Sequence, residues 1–236
     1  MFSGIIATLI LVAAAVIPAA FLMKKVYDLD HLEKESRSLM KSLIIAGFLA
    51  AIPAVLAETI FPAIMDAVLP QESVVYQFLM NFGVIALSEE GSKYYFLKRK
   101  TWKNPEFNCQ FDGIVYAVFV SLGFALLENI LYVLPYGLGV ALGRALTSIP
   151  GHASFGVFMG AFYGIARKEE NLGHQAESKS ARKSAVLIPV LLHGAYDFTA
   201  MYRGGELALF FLLFIILLFI YARKLVKKTA QEDSYI

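Results

Sequence analysis

The sequence predicts an all-α, polytopic transmembrane helical bundle of about seven spans. Hydrophobic residues make up 58% of its 236 residues, above the roughly 45–50% that is usual for soluble domains. They are concentrated in blocks of roughly 20 residues, the length that a helix needs to cross a ~30 Å hydrocarbon core. Helices are expected because lipid offers no hydrogen-bond partner to backbone N–H and C=O groups. The predicted spans are 2–23, 39–62, 74–97, 112–134, 145–166, 184–202 and 206–226.

Basic residues in the connecting segments predict the orientation of these spans. Of the 21 lysine and arginine residues, 18 fall on one side of the alternating pattern. The segments of that side are 24–41, 98–111, 167–183 and the C-terminal tail. The segments of the other side, which contain only Arg144 and Arg203, are 63–73, 135–144 and 203–205. By the positive-inside rule, we expect the N-terminus outside and the C-terminus in the cytoplasm.

The first apolar run, Phe2 to Met23, has no basic residue before it, and Lys24 and Lys25 follow it. A secretory signal peptide has the opposite order, so we expect a retained span. We expect residues 1–236 to form one integral-membrane domain with its motif-bearing core at about 74–202. The single cysteine excludes an internal disulfide framework and a cysteine-rich zinc site.

Ionisable residues occur inside four consecutive spans, the third to the sixth. A charged side chain at that depth costs roughly 2.5–3.5 kcal/mol even on the lenient insertion scale, so such residues usually mark function. The set comprises Glu89, Glu90, Lys93, Glu128, His152, His193 and Asp197. Glu58 lies nearer the outer end of the second span, where we expect it to reach the interface. The similar depth of the set predicts one shared functional site.

Helical spacing groups the acids and bases of this set. Lys93 follows Glu89 by four residues and Glu90 by three, so its ammonium can reach either carboxylate. The two adjacent glutamates point about 100° apart and should have different roles. His193 and Asp197 are four residues apart and share a face.

His152 belongs to a stripe of one helix face that is otherwise made of glycine. The glycines are Gly156, Gly160 and Gly164. Such a stripe lets a neighbouring helix approach closely, so we expect His152 to face protein and not lipid. Three serines, Ser88, Ser92 and Ser154, are weaker candidates for a nucleophile, because small hydroxyl residues commonly serve helix packing.

The ionisable set carries an excess of negative charge that must be neutralised. With four ionised acids, one lysine and two neutral histidines, the site carries about three excess negative charges, which a low dielectric does not tolerate. Some acids are therefore protonated, the histidines are charged, or a metal is bound. Zn²⁺ held by His152, His193 and Glu128 would match a known catalytic ligand set. Hydrolysis by glutamate and water without a metal stays open.

Four short motifs in these spans resemble the PrsW family of bacterial membrane proteases. In order they are Glu89-Glu90-x-x-Lys93, Phe124-x-x-x-Glu128, an isolated His152, and His193-x-x-x-Asp197. The family is similar to the CAAX prenyl protease and bacteriocin-processing superfamily, whose motifs are EExxxR, FxxxH and HxxxN. Lysine in place of arginine and Glu128 in place of histidine favour PrsW. The resemblance implies site-1 cleavage of a single-pass anti-sigma factor in envelope-stress signalling at the bacterial cell membrane.

We therefore expect a peptidase that activates a water molecule, with Glu89 preferred as the general base. Glu90 then orients it or balances its charge. His152 and His193 bind a metal or stabilise the oxyanion. Asp197 orients His193.

Two other functions stay open, a non-catalytic membrane scaffold and a proton-coupled transporter, because both use buried acids and histidines. The expected partners are the lipid bilayer and a membrane-protein substrate, with no nucleic acid.

Overall fold

The computed structural model describes residues 2–202 and 206–236 and confirms the all-α bundle. Its helices are α1 (Phe2–Asp28), α2 (Arg37–Met65), α3 (Val74–Phe78), α4 (Leu87–Thr101), α5 (Asp112–Tyr136), α6 (Leu138–Leu146), α7 (Ser148–Asn171), α8 (Gln175–Met201) and α9 (Ala208–Gln231). A π-helix, Leu79–Ala86, joins α3 to α4, so residues 74–101 form one continuous helical segment. The predicted turn 203–205 lies outside the described residues.

Five helices in the described chain are long and apolar enough to cross a membrane. These are residues 8–28 of α1 together with α2, α5, α8 and α9. The other two predicted spans fall on the 74–101 segment and on α7. In the first of these, the π-helix divides the segment into α-helices of 5 and 15 residues.

The predicted loop 135–144 is wrong, because residues 138–146 form the short helix α6. Gly137 ends α5 with a φ of +81°. That left-handed conformation costs glycine little and lets the chain turn directly into another helix. As a result Arg144 is held on a helix and not in a solvated loop.

Helix α5 is the central element, since all of its residues from Asp112 to Leu126 are buried. Its neighbours approach it at glycines. A Cβ on Gly47 of α2 would lie 2.2 Å from the carbonyl oxygen of Val120. The glycine stripe of α7 packs on a neighbouring face of α5, as the sequence predicts. A Cβ on Gly160 would lie 2.3 Å from the oxygen of Gly113.

The helix ends that carry loops 29–36, 102–111 and 172–174 form one end of the bundle, here called the basic end. The C-terminal residues 233–236 also lie at this end. Cys109 and Tyr235 form an antiparallel β-bridge, and Asp233 Oδ1 accepts a hydrogen bond from the backbone N–H of Phe111 at 2.8 Å. Ile236 N donates to the oxygen of Asn108 at 2.7 Å. The tail after α9 is thereby fastened to the segment that precedes α5.

Candidate active site

A cavity of about 240 Å³ lies among the helices on the side away from the basic end. It extends to the first residue of α7, Ser148, and the last residue of α8, Met201. Its ionisable lining residues are Glu58, Glu89, Glu128, Arg144, His152, His193 and Asp197. Six helices, α2 and α4 to α8, thus contribute ionisable side chains to one cavity.

Lys93 is the centre of the polar network. Its ammonium donates to Glu89 Oε2 at 2.9 Å and to Glu90 Oε1 at 2.7 Å, and it lies 3.2 Å from His152 Nδ1. It also lies 4.1 Å from the ring centroid of Phe124. Lys93 and Glu90 are fully buried behind the cavity, whereas Glu89 lines it.

His193 is held between two carboxylates. Its Nδ1 lies 2.9 Å from Glu90 Oε1, and its Nε2 lies 3.2 Å from Asp197 Oδ2. The ring of Phe155 stacks on it with the centroids 4.7 Å apart. The His152 ring is only 5.5 Å away, centroid to centroid. These contacts fix the orientation of the imidazole beside the cavity.

Glu128 contacts both His152 and Arg144, a residue that the sequence places in a loop. His152 Nε2 and Arg144 Nη2 lie 2.8 Å and 2.9 Å from Glu128 Oε2. Arg144 also donates from Nε to Asn129 Oδ1 at 2.5 Å, and its guanidinium lies 4.4 Å from the ring centroid of Tyr132. The one sequence feature that sets Arg144 apart is that it is the single basic residue of segment 135–144.

Glu58 does not simply reach the interface. It lines the cavity, and its Oε1 is buried without a hydrogen-bond partner among the described residues. The helix α2 places it on the face that packs against the site, which a hydropathy profile does not reveal.

The three serines considered as nucleophiles all donate to backbone carbonyls, which is typical of helix packing. Their acceptors are Ile85 for Ser88 at 3.1 Å, Ala50 for Ser92 at 2.8 Å and Pro150 for Ser154 at 2.7 Å.

Three donor groups of the site have the spacing of ligands of a divalent cation. Ligand atoms of Glu89, Glu90 and His152 all lie within 4.8 Å of one another, around the Lys93 ammonium, which contacts all three residues. The set predicted from the sequence, His152 with His193 and Glu128, is not among the groups at that spacing in the described chain and stays a prediction. Glu90 Oε2 is buried there with no hydrogen-bond partner. Imidazole nitrogen and carboxylate oxygen are ordinary ligands of Zn²⁺.

Comparison with known proteins identifies the family of the chain. The family model described as PrsW family intramembrane metalloprotease matches residues 35–222. Protease PrsW of Oceanobacillus iheyensis is 33% identical over 96% of this chain and 98% of its own length. Protease PrsW of Shouchella clausii is 31% identical over 94% and 97%, and that of Bacillus subtilis is 33% identical over 80% and 81%. No solved structure gives a significant match. The chain therefore belongs to the PrsW family of intramembrane metalloproteases, multi-pass enzymes of the bacterial cell membrane.

Proposed function

We propose that this protease cleaves a single-pass membrane protein with a water molecule that Glu89 activates as general base. One observation carries the choice of residue: of the two adjacent glutamates, only Glu89 lines the cavity. Glu90 is fully buried behind it, between Lys93 and His193. A general base must reach the proton that it removes, directly or through one water, and Glu89 meets that condition.

The partners of Glu89 hold it ready for this role. Its Oε2 accepts from Lys93, so the other carboxylate oxygen remains for the water. Glu90 accepts from the same ammonium through Oε1, which also contacts His193. Glu90 therefore acts as a positioning residue that fixes both Lys93 and His193.

In a mechanism without a metal, the two histidines stabilise the oxyanion that forms when water adds to the scissile carbonyl. Both line the cavity, and each is oriented by a carboxylate, Asp197 for His193 and Glu128 for His152. Groups that are already fixed where charge develops need little reorganisation during the reaction. Arg144 compensates the charge of Glu128.

We propose Zn²⁺ as the metal of this family member, held by His152, His193 and Glu128. These three residues line the cavity, whereas Glu90 of the tighter cluster does not. A bound zinc ion would polarise the scissile carbonyl and lower the pKa of its water. Glu89 remains free to take up the proton.

We propose a single-pass anti-sigma factor as the substrate and site-1 cleavage as the reaction, on the resemblance to PrsW proteases. The cavity lies away from the basic end, which is the outer side if the positive-inside rule holds. A cut at that depth would remove the outer part of a single-pass protein, the first step of regulated intramembrane proteolysis.

Co-expression with doubly tagged, single-pass anti-sigma factors of the source bacterium tests this function. The unaltered protease should release a shortened fragment, and Glu89→Gln should release none. Glu72→Gln, an exposed acid in the loop at the same end, is the matched control and should cleave normally. Full cleavage by Glu89→Gln would exclude it as the base.

The zinc content of purified variants shows whether Glu89 acts as the general base or as a zinc ligand. After purification, Glu89→Gln should retain the zinc of the unaltered protein, while His152→Ala should lose it. Loss of zinc from Glu89→Gln would make Glu89 a ligand, and zinc-free, fully active protein would contradict the assignment of the metal.

A further inference from the structure

A second cluster of acids lies at the basic end, far from the cavity. Asp30 follows α1, Glu35 precedes α2, and Asp112 is the first residue of α5. Ligand oxygens of the three residues lie within 4.8 Å of one another. All three side chains are buried, with exposed fractions of 2%, 3% and 0% respectively.

Several oxygens of this cluster are poorly compensated in the described chain. Both carboxylate oxygens of Asp30 lack a hydrogen bond. Glu35 and Oδ1 of Asp112 accept none from an N–H group, and their compensation is a proton shared between the two carboxyl groups together with the Tyr116 hydroxyl beside Glu35. Asp112 Oδ2 accepts from the backbone N–H groups of Cys109 at 2.7 Å and Asn108 at 3.0 Å. Buried carboxylate oxygens are rarely left unpaired, because their desolvation is then not compensated.

Further unpaired oxygens border the cluster. The side-chain oxygen of Asn108 and Oδ2 of Asp233 are also buried without a partner among the described residues. Asn108 instead uses its amide N–H to bind Glu33 Oε1 at 2.5 Å. A carboxylate and an amide carbonyl are thus available next to the three acids.

The neighbouring lysine does not neutralise these acids. Lys34 directs its ammonium to the backbone carbonyls of Tyr27 and Asp30, and not to a carboxylate. Burial raises the pKa of Asp30 to about 6, with Lys34 opposing that effect. Burial, and then the charge of Asp112, raises the pKa of Glu35 to about 9. Without a cation, Glu35 therefore keeps a proton at neutral pH.

The charged and titratable groups that act on these two acids come from several segments. They are His31, Glu33, Lys34 and Asp233 around Asp30, and Glu106, Asp112 and Tyr116 around Glu35. Acids predominate in this set, so the local potential favours a cation.

We propose that Asp30, Glu35 and Asp112 form a binding site for a hard divalent cation, Ca²⁺ or Mg²⁺. Both ions prefer oxygen ligands, and Ca²⁺ binds oxygens at about 2.3–2.6 Å, so two of its ligands lie no more than about 5 Å apart. The spacing within 4.8 Å meets that limit. The site lacks sulfur and imidazole ligands, which disfavours zinc.

This cation would fasten the segment between α1 and α2 to the start of α5. The same start of α5 already holds the C-terminal tail through Phe111 and Asp233. Asp112 and Glu128 are 16 residues apart on α5, or about 24 Å along the helix. The site is therefore separate from the catalytic cavity and would act on the stability of the basic end.

Thermal unfolding of the full-length protein in zwitterionic nanodiscs tests the proposal, with CaCl2, MgCl2 or EDTA. At a hundredfold excess over Kd, the cation should raise Tm by about 5–10 °C. Glu35→Gln should lose this rise. Asp28→Asn, which changes an exposed acid at the end of α1, should keep it.

Two further variants distinguish a failure of the cation site from a failure of the proposed catalytic role or of folding. Glu89→Gln should keep the cation response, so a failure of the proposed catalytic role leaves this test intact. If Glu35→Gln does not fold, Asp30→Asn should instead raise the cation concentration at half-effect at least about tenfold. An unaltered protein whose Tm ignores both cations, or an equal response in Glu35→Gln, would overturn the site. A response to only one of the two ions identifies the cation.

Discussion

Substituting Gly160 by alanine should push α5 and α7 apart. The new Cβ would lie 2.3 Å from the oxygen of Gly113 and 2.4 Å from Cα of Ile114, where ordinary contacts are 3.4–4 Å. Both opposing atoms belong to the backbone, so the helices must separate locally by about 1 Å, since close-packed interiors transmit strain. Overpacking of this kind costs about 1–3 kcal/mol. For a chain of this size that corresponds to a Tm lower by roughly 3–9 °C.

The same separation should impair catalysis, because Glu128 lies on α5 and His152 on α7. A misplacement of ~1 Å in a catalytic arrangement can cost about 10²-fold in rate, so we expect cleavage to fall at least tenfold. Nanodisc unfolding and cleavage of a doubly tagged substrate measure both effects.

Gly91→Ala is the matched control. No atom lies within 4 Å of its new Cβ, and alanine in a helix gains about 0.5–1 kcal/mol over glycine. If Gly160→Ala keeps the Tm and activity of the unaltered protein, the backbones of α5 and α7 leave room for a methyl group at this position. If Gly91→Ala loses as much, the loss is not specific to the contact between α5 and α7.

Three other outcomes are expected. Lys93→Met should destabilise the protein by about 3–5 kcal/mol in equilibrium unfolding, because two buried glutamates lose their countercharge; unchanged unfolding would contradict that pairing. Asp197→Asn should lower kcat about 10–100-fold with little change in KM, since His193 loses its orienting carboxylate; a change in KM alone would argue for a role in substrate binding. In EDTA, Tm should fall as pH rises from about 4.5 towards 9. In the folded protein, burial raises the pKa of Glu35 from 4.5 to about 9. Glu35 therefore keeps a proton that it loses in the unfolded chain. Glu35→Gln should flatten this dependence.

Much of the catalytic region is predictable from the sequence, for physical reasons that act locally. A glutamate or histidine is rare in an apolar run because its burial is costly, so Glu89, His152 and His193 stand out without any structure. Helical periodicity then places His152 on the glycine stripe, and the structure confirms that this face packs on α5.

Other features depend on which helices become neighbours. Arg144 reads as a loop residue and Glu58 as an interfacial one, yet both line the cavity with Glu128. The 100° between Glu89 and Glu90 implies different roles, but only the packing of α4 against α7 and α8 decides that Glu89 is the one facing the cavity.

The sequence by itself determined the class of fold, the hydrophobic centres of the long helices and the ionisable residues of the spans, because hydropathy, helical period and the cost of burying charge are properties of short segments. The tertiary structure decided which of these residues share a cavity, and it alone brought Asp30, Glu35 and Asp112 together. Contacts between residues so distant along the chain arise from how whole helix faces fit one another, which no local pattern encodes.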